Sequence, residues 1–311
     1  MKEAGSSARL SREGPMPLFH ERSGKFSPEK TLFLVASILP AVWLAGLAAN
    51  GGLGARPLTE AIHFTGLWAI RLLVASLAIT PLRRLLVLPK LYFGRRILGL
   101  AALFYAALHL VLFFVDQGAG RALSEIALRI YLTIGAVALA LLIALGATSF
   151  DGAIRRMGTE RWNRLHAAVY AIAVLGAVHF FLQSKLDVTE PVLMAGLLIF
   201  LFSCRIAYRL WGNVTPLGVA GLAVVSAALT AGVEVAWYGL ATRVDPWLVA
   251  EANLSFDLGP RPAWWVLAAG LVVAALAGQR AVDAPPQGRR RAGRPAAGVP
   301  QTATADGRGA P

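Results

Sequence analysis

Four histidines, His63, His109, His166 and His179, fall inside or at the ends of long apolar stretches; a fifth, His20, lies in a polar N-terminal segment and is expected to be inert. A titratable ring in lipid is costly and by default marks a functional site. Depth decides which rings can meet. If the third apolar stretch starts at Arg96, His109 lies about 20 Å along it. If the fifth starts at Arg164, His166 stays near the entry and His179 lies about 22 Å in. His109 and His179 therefore share a level on two helices, with His63 somewhat above them and His166 alone at the opposite side. Two neutral imidazoles at one depth are what a haem b with two axial histidines requires, the porphyrin lying between helices. Zinc or copper would want three or four ligands, and no Cys or carboxylate stands near. A proton relay pairs His with a buried acid, and only Glu234, far along the chain, offers one.

His166 and His179 are 13 residues apart, which leaves them about 140° from facing the same way on a straight helix. Two stacked haems on one straight helix are therefore not implied, although a π-bulge or a tilt could repair the offset. At the level of His166, the His109 helix carries Arg95 and Arg96 rather than a second His. They suit haem propionates or a flavin phosphate, since arginine binds such anions bidentately; they also suit a plain basic flank. Arg71 is the one cation inside an apolar stretch and calls for an anionic partner, for which a haem propionate is a reasonable choice. Cys204 is expected to be a packing residue.

The elements that must hold these residues are membrane helices. The chain has 311 residues, 57% hydrophobic and 15% charged, with mean hydropathy +0.61; an ordinary soluble domain is nearer half apolar and a quarter charged. About eight stretches are long enough to span a bilayer: Leu32–Ala49, Ala61–Thr80, Ile97–Val115, Ile130–Gly146, Leu165–Leu182, Pro191–Ala207, Leu217–Val233 and Ala263–Gly278. With the N-terminus in the cytoplasm, inner segments hold 23 of the 30 Lys and Arg and outer ones six, with Arg71 left inside a span. That asymmetry puts both termini in the cytoplasm and gives the net charge of +13 a membrane cause. No nucleic-acid partner is expected. The first span reads as an uncleaved anchor rather than a signal peptide. Trp237, Tyr238, Trp247, Trp264 and Trp265 fit an aromatic belt. One Cys excludes an internal disulfide, and no G-x-G-x-x-G, Walker A or HExxH motif is present. The expected architecture is an all-α polytopic membrane bundle. It comprises a cytoplasmic segment (1–30), a six-helix haem-binding core (31–211), two extra helices (212–280) and a disordered basic tail (281–311).

Several short segments together carry a resemblance: Gly51-Gly52-Leu53-Gly54-Ala55, His63-Phe64-Thr65-Gly66, Thr80-Pro81-Leu82, Arg95-Arg96-Ile97-Leu98-Gly99 leading to His109, Thr148-Ser149, and Arg161-Trp162-Asn163-Arg164-Leu165-His166 leading to His179. Through them, residues 32 to about 211 resemble the MsrQ (YedZ) family, the haem-binding membrane subunit of a bacterial periplasmic methionine-sulfoxide reductase system. That family is similar to the ferric-reductase membrane domain without its nucleotide domain. The resemblance implies haem b and FMN, and His109, His166 and His179 as haem-ligand positions, with His63 a motif residue. It also implies an inner-membrane location and electrons passing from the quinone pool, or from a flavin reductase, to a periplasmic molybdopterin subunit of the MsrP type. The sulfoxide chemistry itself has no site on this chain. One alternative is a ferric-reductase-like protein acting directly on an outer-face acceptor; another is a transporter or structural protein whose histidines titrate or merely pack.

Overall fold

The computed structural model describes residues 26–185, 187–257 and 259–283. His20 and nearly all of the basic tail lie outside them. Twelve α-helices follow one another: α1 (Pro28–Ala49), α2 (Pro57–Leu85), α3 (Tyr92–Gln117), α4 (Ala119–Leu128), α5 (Ile130–Ala147), α6 (Asp151–Met157), α7 (Thr159–His166), α8 (Val169–Ser184), α9 (Thr189–Trp211), α10 (Pro216–Trp237), α11 (Pro246–Leu254) and α12 (Pro262–Asp283). Eight helical segments are long and apolar enough to cross a membrane, with α7 and α8 acting as one. They coincide with the eight stretches expected, most of them running several residues further into the flanks.

Local chemistry sets the helix starts. Pro28, Pro57, Pro216, Pro246 and Pro262 each open a helix, where the missing N–H is harmless and φ is already helical. The Thr215 hydroxyl accepts from Gly218 N at 3.1 Å, and an Asp245 oxygen accepts from Trp247 N at 2.9 Å, capping α10 and α11. Gly118 (φ +75°) and Gly158 (φ +77°) turn the chain out of α3 into α4 and out of α6 into α7, at backbone angles other residues rarely adopt.

The helices pack by small residues and by back-bonded hydroxyls rather than by an amphipathic stripe. α2 runs along α3, α5 along α8, and α9 and α12 flank α10. The main core joins α2, α3, α5, α8 and α9 through residues such as Leu77, Ala102, Tyr105, Ile172, Ala173 and Leu198. A second core joins α9, α10 and α12 around Phe200, Cys204, Val219, Ala223 and Val266. There Gly196 leaves room for Thr230 and Val266: a Cβ at Gly196 would come within 2.7 Å of both. Large apolar side chains on α1 and elsewhere, among them Leu32, Leu39, Val42 and Trp43, point outward, as a lipid-facing surface requires.

Pro81 interrupts α2 and cannot donate to the carbonyl of Leu77, four residues back. Arg205 of α9 fills that vacancy by donating from Nη2 to the Leu77 oxygen. Glu234, the candidate for a proton relay, is instead sealed. It is fully buried and ion-paired with Arg261, while Asn253 Nδ2 donates to Glu234 Oε2 at 2.9 Å. Removing one member of such a pair strands the other charge, at a cost of about 3–5 kcal/mol. Arg261→Met should therefore lower the melting temperature of the purified protein clearly, and adding Glu234→Gln should recover much of the loss. Equal melts for the Arg261→Met variant and the wild type would show that the pair contributes nothing.

Candidate functional site

His109 on α3 and His179 on α8 meet across one cavity. Their ring centroids are 6.3 Å apart and their planes are inclined at 85°. Each ring is anchored in the same way. His109 Nδ1 donates to the carbonyl of Ile62 on α2 at 2.8 Å, and His179 Nδ1 donates to the carbonyl of Tyr131 on α5 at 2.7 Å. A carbonyl can only accept, so the proton sits on Nδ1 and the lone pair on Nε2, the tautomer a metal ligand needs.

The glycine pattern explains how a ring reaches a carbonyl inside a helix. Gly66 follows Ile62 by four residues, and Gly135 follows Tyr131 by four. In an α-helix that is the residue standing over the carbonyl in question. A Cβ on Gly66 would lie 2.9 Å from His109 Nδ1, and one on Gly135 would lie 2.8 Å from His179 Nδ1. The two imidazoles are thus seated by one device used twice, on α2 for α3 and on α5 for α8.

The cavity measures about 1360 Å³ and is bounded by α2, α3, α4, α5 and α8. Its inner end is apolar, with Leu73, Ala138, Leu139, Leu142 and Ile172 on the wall; its mouth carries Arg56, Glu60, His63, Gln117 and Arg121. The spacing tests what could sit between the rings. Two metal–imidazole bonds of about 2 Å each, plus about 1.1 Å from each nitrogen to its ring centre, place the centroids about 6.2 Å apart when both nitrogens point at one metal. The observed 6.3 Å matches that spacing, and the volume has room for a macrocycle. Among the described residues no group of three or more His, Cys, Asp or Glu could hold a metal ion.

The other expected residues fall elsewhere. His63 lines the mouth and is exposed. His166 does not line the cavity. Its ring stacks on Trp162 at 3.7 Å, Nδ1 donates to the Trp162 carbonyl at 3.1 Å, and Nε2 lies 3.4 Å from Ser149 Oγ. Trp162 Nε1 in turn donates to the Thr148 carbonyl at 2.9 Å, so two of the short sequence motifs meet here. Between His166 and His179 the helix tightens at Ala167 and Ala168, where backbone bonds run three residues back. This over-winds the path by a few tens of degrees, whereas a π-bulge would under-wind it; among the described residues the π-helical turn lies at Tyr238–Thr242. Arg71 pairs with Glu190 at 2.8 Å, and Glu190 itself lines the cavity. Arg96 pairs with Asp151 at 3.2 Å, and neither Arg95 nor Arg96 borders the cavity. Gly176 on α8 lines the slot, and Gly99 on α3 faces Ser76.

Arg56 and Arg121 escaped the sequence reading because both sit in connecting segments that look like ordinary interface. They line the mouth and form no ion pair with a carboxylate among the described residues, unlike Arg129, which pairs with Glu125 and reaches Tyr131 Oη at 3.1 Å. Gly66 and Gly135 needed tertiary contacts to be seen; the only sequence signal was Gly66 inside the His63-Phe64-Thr65-Gly66 segment.

The sequence model described as ferric reductase like transmembrane component matches residues 65–177. A protein of Rhodospirillum rubrum is 42% identical over 177 residues, covering 55% of this chain and 84% of the relative. It is named protein-methionine-sulfoxide reductase heme-binding subunit MsrQ. The chain belongs to the MsrQ family. Members bearing the same name from Xanthomonas campestris pv. campestris (44% identical over 171 residues, 54% of this chain and 78% of the relative) and Brucella anthropi (40% over 178 residues, 56% and 80%) match it similarly. No solved structure matches. The MsrQ relatives match little more than half of this chain, and the ferric-reductase match ends before α9.

Proposed function

We propose that this chain is a membrane cytochrome b subunit that passes electrons to a periplasmic methionine-sulfoxide reductase. The observation that carries this reading is the pair of inward-facing imidazoles, His109 and His179, 6.3 Å apart across an apolar slot. His109 Nε2 and His179 Nε2 would hold one haem b. Bound there, the haem supplies reversible one-electron chemistry, with a potential set by its ligands and burial. The residues do the rest. The Ile62 and Tyr131 carbonyls orient the rings and raise their basicity. Leu73, Leu139, Leu142 and Ile172 keep water from the inner edge. Arg56 and Arg121, which line the mouth, would hold the propionates; Arg71, Arg95 and Arg96 are not assigned that task.

The arginine-rich end lies in the cytoplasm by the positive-inside rule, so the mouth opens to the periplasm of an inner-membrane protein. Electrons come from quinol or a separate flavin reductase and leave to a molybdopterin subunit of the MsrP type that carries the sulfoxide site. FMN is the second cofactor of this reading.

The test is reoxidation. Dithionite-reduced, detergent-purified protein should show b-type bands that persist with methionine sulfoxide alone and are bleached when the periplasmic molybdopterin subunit is added with it. Bleaching by a ferric chelate alone, with no response to the subunit, would favour direct reduction of an outer acceptor. Absence of any haem band would sink both.

A further inference from the structure

Beside the His109–His179 cavity lies a second, smaller space. It measures about 420 Å³, lies between α1, α2 and α3, and is lined only by Ala, Leu and Pro residues. Small residues of α1 leave it unfilled: Ala41, Ala45 and Ala48 recur there at helical spacing, facing Ala61 of α2 and Leu112 of α3. Leu53 lines both this crevice and the larger cavity. It belongs to the Gly51–Ala55 segment, in which Gly51 and Gly54 both adopt φ +67°, so that segment forms the partition between the two spaces. Across the partition, Glu60 and His63 line the cavity mouth one turn apart on α2. Both are exposed, and among the described residues neither side chain has an ion pair or a hydrogen bond. His63 directly follows Ile62, whose carbonyl accepts from His109 Nδ1.

A crevice with this lining suits a hydrocarbon chain, because a polar group there would have no partner. It leads from the lipid-facing side of α1 to two proton acceptors beside a redox cavity. A molecule that carries hydrogen within the membrane needs that combination; a phospholipid has a tail for the crevice but no hydrogen to give. We propose that the crevice and the Glu60–His63 pair form the site of an isoprenoid hydroquinone. Its tail lies against Ala41, Ala45 and Ala48 and its ring at Leu53, with one hydroxyl donating to the Glu60 carboxylate and the other to a His63 ring nitrogen. The site rests on the haem reading above, whose electron donor it places. In the reaction two O–H bonds break and the hydroquinone becomes a quinone. One proton passes to Glu60 and one to His63, both at the open mouth, and the two electrons leave singly by way of the haem to the reductase subunit.

Two readouts on the detergent-purified full-length protein test the site: binding of decylubiquinone by native mass spectrometry, and haem reduction by decylubiquinol in the b-type bands. Ala45→Phe adds a ring on the exposed side of α1 and fills the crevice. It should weaken decylubiquinone binding about tenfold or more, since each buried methylene lost costs about fourfold, and leave binding of the tail-less ubiquinone-0 unchanged. Glu60→Gln and His63→Gln should slow reduction by decylubiquinol about a hundredfold, within the range for a lost general base, while dithionite reduces them as fully as the wild type. Absence of bands in the dithionite-treated wild type would overturn the haem reading and the site with it. Full bands together with wild-type rates for decylubiquinol in the Glu60 and His63 variants would overturn the site alone. So would a wild type that binds no decylubiquinone, or an Ala45→Phe variant that sheds copurified phospholipid yet binds decylubiquinone unchanged.

Discussion

Replacing His109 or His179 by alanine should reduce bound haem to below about a tenth of the wild-type content, because losing an axial ligand removes more than the 10–100-fold of affinity that a mere supporting group contributes. The pyridine haemochromogen signal per purified chain reads this directly. The fold should survive. Each ring fills a position beside a cavity rather than in the main core, and each substitution shortens a side chain without opening the α2–α3 or α5–α8 contact. His166→Ala should keep most of its haem, since His166 is held by Trp162 and Ser149 away from the slot. Full haem in both the His109 and the His179 variants would remove the proposed ligands. Loss of haem in the His166 variant equal to theirs would place a ligand where the structure has none.

Gly66→Ala and Gly135→Ala should damage the site almost as severely, although each adds a single methyl group. An alanine in mid-helix is ordinarily stabilising by about 1 kcal/mol relative to glycine. Here the new Cβ would sit 2.9 Å from His109 Nδ1 or 2.8 Å from His179 Nδ1, too close for either ring to stay. The ring must withdraw, its hydrogen bond to the Ile62 or Tyr131 carbonyl is lost, and Nε2 leaves the axis on which it meets its partner. Haem content should fall about tenfold or more, while the apo-protein melts at the same temperature or higher. That opposition separates a seat for the ring from a general need for a thin helix. Unchanged haem in both variants would mean that the rings have another resting place.

Much of this arrangement was legible in the residues themselves. Eight apolar stretches give eight crossing segments because backbone groups in lipid must be satisfied within one helix. The common depth of His109 and His179 follows from counting residues along two spans that run in the same direction. What could not be counted was sidedness. A helix spacing tells how far down a ring lies, not which neighbour it faces, so His166 and the two ligand candidates look alike in sequence. The over-wound turn at Ala167–Ala168 likewise has no compositional mark. Arg71 shows a different limit. The sequence calls for an anion near it, but Glu190, 119 positions away, becomes the partner only when α9 packs on α2. The carbonyl left by Pro81 was foreseeable; that Arg205 would fill it was not, because a long flexible side chain chooses among several orphaned groups only in the folded bundle. The arginines at the mouth were counted as topology alone, and only the closed cavity separates Arg56 and Arg121 from other interfacial cations.

On the proposed reading, one pair of rings would hold one haem. Among the described residues His109 and His179 are the two imidazoles brought together at one cavity, and His166 has no counterpart at its own end. The haem-to-protein ratio of the purified wild type, taken together with its oxidised-state electron paramagnetic resonance spectrum, is the most direct check. One haem per chain, with a low-spin signal from two axial imidazoles, is the expected result. Two haems per chain, or a predominantly high-spin iron with an open position, would contradict a single macrocycle clamped between α3 and α8.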